Sequence, residues 1–124
     1  MKYAIIIARV LLGLVFVVFG SNAFLHFIPA PPMQGDAGAF IGALISSGYI
    51  YPIAILQIVG GLLLLIGGRF VPLGLTLLGP VIVNIFLYHI FLDPSGLPMA
   101  CVISILALFL LWVYRYKFPA IFQP

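Results

Sequence analysis

The chain has 124 residues, 65% of them hydrophobic and only 6% charged, whereas a water-soluble globule carries about a quarter of its residues as charged groups. Its net charge of +3 comes from five scattered basic residues, so a nucleic-acid footprint is excluded. At this length about four spans of roughly 20 residues fit, which leaves no room for a second, soluble domain.

The composition therefore predicts one all-α integral membrane domain over residues 1–124, an antiparallel four-transmembrane-helix bundle. Cys101 is the sole cysteine, which rules out a disulfide within the chain and the paired thiols of membrane thiol oxidoreductases. With no basic residue near it in sequence, Cys101 reads as a small, buried apolar residue rather than a reactive thiol.

In chain order, the first apolar run covers about residues 3–27 and is interrupted by Arg9. Lys2 and a faint cleavage-like Ser21-Asn22-Ala23 suggest a signal peptide, but the run is too long for an apolar signal core and contains an arginine, so a retained helix is expected. After Pro29-Ala30-Pro31-Pro32, the spacing of Phe40, Ile41, Leu44 and Ile45 predicts a short helix over about 37–47, with Asp36 as its cap and Gly48 at its end. It is too short to cross, so it is placed at the interface or tucked between helices 1 and 2.

A second span is expected over 51–66, ending at the tight Gly67-Gly68-Arg69 turn. A third, over 70–92, has Pro72 in its first turn and an interior Gly79-Pro80 that should kink it and deprive the Thr76 carbonyl of its donor. Asp93-Pro94-Ser95-Gly96 turns into the fourth span, over 97–113. Gly13, Gly20, Gly60, Gly61, Gly74 and Gly79 thin the helices and favour close backbone approach.

Basic residues near span ends stay cytoplasmic. With the N-terminus inside, Lys2, Arg9, Arg69, Arg115 and Lys117 all fall on the inner side, and Asp36 and Asp93 on the outer one. Tyr3, Trp112, Tyr114 and Tyr116 then mark the inner interface, and Tyr49 and Tyr51 the outer. Arg9, Arg69, Arg115 and Lys117 are the topological anchors, Arg9 by snorkelling to headgroups from about two turns inside the first span. With no acidic residue inside a span, a proton relay has no obvious carriers.

The unusual residues are polar and uncharged. At 1.5 Å of rise per residue, Asn22, Gln57, Asn84 and Ser104 lie roughly 7–12 Å below the outer ends of the four spans. Asn84 shares a helical face with Tyr88, while His89 is turned about 140° from Asn84, toward Asp93. Two readings compete. Asn22, His26, Gln57, Asn84, Tyr88 and Ser104 line an outward-opening pocket for a quinone-like ligand or a lipid, or the amides serve as interhelical glue worth about 0.6–2 kcal/mol each. His26 and His89 are weak candidates for haem or pigment ligation, and no metal site is expected.

The stretches Ala8-Arg9-Val10-Leu11-Leu12-Gly13, Gln57-Ile58-Val59-Gly60-Gly61-Leu62-Leu63-Leu64, Gly79-Pro80-Val81-Ile82-Val83-Asn84 leading to His89, and Leu111-Trp112-Val113-Tyr114-Arg115 resemble the DoxX and DoxX-like family of small four-helix bacterial membrane proteins along essentially the whole chain. The resemblance implies the bacterial inner membrane and an association with membrane redox systems and quinone. Many relatives have an acidic residue where this chain has Gln57; that departure removes a titratable group and argues against proton handling there, while leaving an amide that can hydrogen-bond a ligand. The leading expectation is an accessory or anchoring subunit of a membrane redox complex, in contact with lipids and other membrane-protein subunits. The alternatives are a stand-alone quinone-linked oxidoreductase and, more weakly, a small-molecule carrier. No cysteine pair, nucleotide motif or metal set supports the oxidoreductase, and the scarcity of intramembrane charge argues against the carrier.

Overall fold

A largely apolar, proline-free stretch carries α1 from Lys2 to Leu25 in the computed structural model, which describes residues 1–25 and 34–122. The other α-helices are α2 (Gly35–Ser47), α3 (Ile50–Ile66), α4 (Phe70–Phe91) and α5 (Leu97–Val113). Pro94–Gly96 and Arg115–Phe122 form 3-10 turns, and no strand occurs among the described residues.

α1, α4 and the Pro94–Val113 segment are each long and apolar enough to cross a membrane. α3 has 17 residues, a length of about 25 Å, which is short for a hydrocarbon core of about 30 Å. It reaches the length of a crossing together with α2, to which it is joined at a bend of 89°. Among the described residues there are thus three such helices, or four if the bent pair is one span.

The bend has a local cause. Gly48 takes the left-handed conformation at φ 81° and donates its N–H to Ile45 O, ending α2. Pro52 then falls in the first turn of α3, where a missing N–H costs little. The cap of α2 differs from expectation: Gln34 holds the N-cap position without a side-chain bond. Asp36 sits inside the first turn, where its charge complements the positive end of the helix.

Close packing is built on small residues. A methyl at Gly13 would stand 2.9 Å from Gly61 O, and one at Gly61 would stand 2.7 Å from Gly13 O, so these two backbones touch. Seven residues along α1, Gly20 meets Ala54 O at 2.9 Å in the same sense. Positions rise on α1 as they fall on α3, so the two helices run in opposite directions. The Phe24 and Tyr51 rings, with centroids 5.2 Å apart, extend the contact to the helix ends.

Gly60 and Gly61 divide the work of α3. Gly61 faces α1, and Gly60, about 100° further round, faces α4, where a methyl at Gly74 would meet Gly60 O at 2.9 Å. α4 packs on α5, and α5 on α1, so the four helices close a ring. Leu12, Phe16, Leu64, Val71, Leu78 and Leu110, from all four helices, fill its centre, and no polar or charged side chain is fully buried among the described residues. α5 buries only Ala100, Ile103 and Leu110, against seven residues of α4, so α5 turns most of its apolar surface outward.

Gly79, expected to permit a close approach, has nothing within 4 Å of the position a methyl would take. α4 is assigned as one helix through Pro80. Thr76 Oγ1 donates to Pro72 O and Asn84 Nδ2 donates to Pro80 O, both at 2.8 Å, so a side chain on either side of the proline bonds back to its own helix. Cys101 is half-buried and free.

Candidate functional site

The end of α4 is set by its backbone. The N–H groups of Leu92 and Asp93 both donate to Tyr88 O, at 2.8 and 3.1 Å, and Gly96 N–H returns to Asp93 O at 3.3 Å. This turn holds His89. Its Nδ1 lies 3.0 Å from the same Asp93 carbonyl. A carbonyl oxygen only accepts, so Nδ1 carries the proton and Nε2 of the neutral ring is an acceptor.

The imidazole lies across Gly96, where a methyl would meet Nδ1 at 2.5 Å. Gly96 has an ordinary backbone conformation, φ −92° and ψ 4°, so it is the ring, not the turn, that requires glycine there. The expected partnership of His89 with the Asp93 side chain is replaced by one with the Asp93 carbonyl, while the carboxylate accepts from Ser95 Oγ at 2.5 Å.

His89 and Gln57 line one cavity of about 210 Å³ among α1, α3, α4 and α5. Phe16, Phe19, Met99 and Ile103 supply much of its apolar wall. Gln57 is half-buried beside α1, where a methyl on Gly20 would lie 3.1 Å from its Cβ. Tyr88 packs edge-on against His89 with centroids 5.0 Å apart and meets Phe40 of α2 at 5.7 Å, which places α2 beside this end of the ring.

The five expected pocket residues that the structure describes do not line a common space. Asn84 is exposed on the outer side of α4 and spends its amide on Pro80 O. Ser104 lines a different space, a groove of about 420 Å³ between α4 and α5. Asn22 is half-buried on α1 and, like Tyr88, lines neither space. His26 lies outside the described residues. Gln57 is joined instead by His89, which was expected to turn about 140° from Asn84, toward Asp93.

Sequence reasoning did not find Gly96 as the seat of His89, nor Phe40 as the cover of Tyr88. The first had a signal, a glycine in the turn that follows the histidine. The second had none, because nothing local says where α2 lies. At about 210 Å³ the cavity is below the range of roughly 300–1,000 Å³ usual for small-molecule sites and suits a headgroup-sized moiety. Among the described residues no group of three or more His, Cys, Asp or Glu could hold a metal ion.

Arg9 is half-buried on α1, and its guanidinium lies over Gly67 at the C-terminal end of α3. Arg69, Arg115 and Lys117 are exposed, and each stacks on aromatic rings: Arg69 on Phe70 at 5.0 Å, Arg115 on Trp112 and Tyr116 at 4.5 and 4.4 Å, and Lys117 on Tyr114 at 5.7 Å.

Fold and site together define an all-helical protein with several helices suited to a bilayer and a small, mainly apolar cavity into which Gln57 and His89 bring polar groups. Comparison with protein-family models, characterised proteins and solved structures gives no match.

Proposed function

We propose that the chain crosses the bacterial inner membrane as an antiparallel bundle of α1, α3, α4 and α5, with both termini cytoplasmic and α2 at the outer interface. Within it the chain serves as an accessory or anchoring subunit of a larger membrane assembly. The observation that carries the subunit reading is the outer face of α5, where Val102, Ile105 and Leu108 are 56%, 63% and 63% exposed at a spacing of three residues. Such an apolar row has no cover among the described residues and suits the side of another membrane helix.

The topology is supported by the contact of Arg9 with Gly67, which sets the start of α1 beside the end of α3. Lys2, Arg9, Arg69, Arg115 and Lys117 then share one end of the bundle and Asp93 takes the other, as the positive-inside rule requires. A photo-crosslinker at Ile105, activated in native membranes, is expected to give adducts with a different membrane protein. Recovery of lipid adducts alone, with only monomers after mild solubilisation, would overturn the subunit reading. Periplasmic accessibility of either terminus would overturn the topology.

The second reading, a quinone-linked oxidoreductase, is favoured by one observation, the meeting of Gln57 and His89 at a single cavity. The resemblance to DoxX proteins adds the redox setting. In this reading the cavity takes the polar headgroup and the tail leaves between helices. Quinone reduction by the purified protein is the test, and its absence sinks this alternative without touching the first.

A further inference from the structure

The larger of the two spaces has a chemistry unlike that of the Gln57–His89 cavity. It is a groove of about 420 Å³ between α4 and α5 whose one polar side chain is Ser104. Gly79, Ser104 and Ala107 make it by being small, and Val83, Leu87, Leu108 and Leu111 along it are 58%, 43%, 63% and 44% exposed, so it opens on the outer surface. On α4 it extends from Leu75 to Leu87, about 18 Å of helix. That is an elongated, apolar shape within the hydrocarbon depth of the span.

One end of the groove is basic. Leu111 lies four residues before Arg115. The 3-10 segment Arg115–Phe122 packs against both α4 and α5, the two helices that form the groove, and Tyr114 and Phe118 anchor it to the core. It brings Arg115 and Lys117 to this end, where Arg69 precedes α4. Arg115 is further positioned by an Nη1 bond to Trp112 O, 2.5 Å long, and by the rings of Trp112 and Tyr116. No acidic residue is near, since the sequence has only Asp36 and Asp93, and Asp93 is at the opposite end of α4.

An apolar channel of acyl-chain proportions that opens toward the end of the bundle carrying Arg69, Arg115 and Lys117 complements one kind of bilayer component. We propose that the α4–α5 groove binds an anionic phospholipid, with an acyl chain along Gly79 and Ala107 and its phosphate among Arg69, Arg115 and Lys117. The inference rests on the membrane-spanning part of the proposed function and is independent of any partner subunit. Arginine beside aromatic rings suits the phosphate, because the planar guanidinium keeps donors free while its face is stacked.

The experiment uses the full chain in mild detergent, with native mass spectrometry against equimolar phosphatidylglycerol and phosphatidylcholine. One phosphatidylglycerol per chain should be retained in preference. Arg115→Gln should cut that preference about fivefold, the effect of one basic residue near an anionic surface. Gly79→Leu, which fills the groove, should remove retention of both lipids, with circular dichroism verifying the helix content; if the fold is lost, Ala107→Leu takes its place. Equal retention of the two lipids, or a preference unchanged by Arg115→Gln, overturns the charge assignment. A photo-crosslinker at Val83 that captures a protein rather than a lipid in native membranes overturns the lipid assignment, while the Ile105 result reports on the partner subunit separately.

Discussion

The guanidinium of Arg9 lies against Gly67, so close that a methyl at position 67 would stand 2.5 Å from Nη1. Gly67 has φ 82° and ψ −163°, a region that essentially only glycine occupies, and it ends α3 by donating its N–H to Leu63 O. The Arg9 Nε is buried without a hydrogen-bond partner. The cation therefore sits beside the negative end of the α3 dipole, a favourable placement for a charge with no carboxylate near it.

Gly67→Ala is expected to destabilise the protein by about 1–3 kcal/mol through backbone strain, with a further loss from collision with Arg9. Thermal melting in detergent measures it. In a double-mutant cycle with Arg9→Ala, the collision should be relieved and the strain should remain. Purely additive losses would mean that the two residues do not meet.

The glycines differ in what replacing them does. Gly61→Ala should lower stability by about 1–3 kcal/mol, because the methyl meets both Gly13 O and the Val17 side chain. Gly42→Ala, on α2 with nothing within 4 Å, should raise it by up to about 1 kcal/mol through helix propensity alone. Equal melting shifts for the two would contradict backbone contact between α1 and α3.

Gly96→Ala should displace His89 from the Asp93 carbonyl, since the turn itself tolerates alanine and only the ring objects. The expected cost is about 1 kcal/mol, that of one hydrogen bond. His89→Ala should make the Gly96→Ala substitution nearly neutral. If Gly96→Ala costs the same with and without the imidazole, the ring does not occupy that seat.

Gln57 and Asn84 should separate on substitution by leucine. On the quinone-linked reading, Gln57→Leu removes the amide from the cavity and should weaken binding of a short-chain quinone about fivefold, the worth of a typical hydrogen bond. Asn84→Leu touches neither space and should leave binding unchanged, with stability within about 0.5 kcal/mol of the parent. Isothermal titration reads the first and thermal melting the second; equal weakening by both changes would return the polar residues to a single layer.

Helices apolar enough for a bilayer were legible from composition, and their ends from Gly48, Gly67-Gly68 and Asp93–Gly96, because these signals are local. The sequence also supplied the inventory of the site: Gln57 and His89 stand out in any apolar span. What it left open was the rotation of α4 about its axis. A helix that is apolar all round has no polar stripe to say which side faces inward, so nothing local could correct the choice of Asn84 over His89 for the pocket.

Tertiary contact made that choice. Gly74 against Gly60 fixes how closely α4 approaches α3, and burial of Leu78, Val81 and Ile82 turns Asn84 outward. The same rotation brings His89 to Gln57, 32 residues away in the chain. The pairing of Arg9 with Gly67 is likewise non-local. A membrane address and a set of helices follow from each residue's own preference for lipid, whereas which polar groups share a cavity depends on side-chain volumes meeting across helices, and no single helix carries that information.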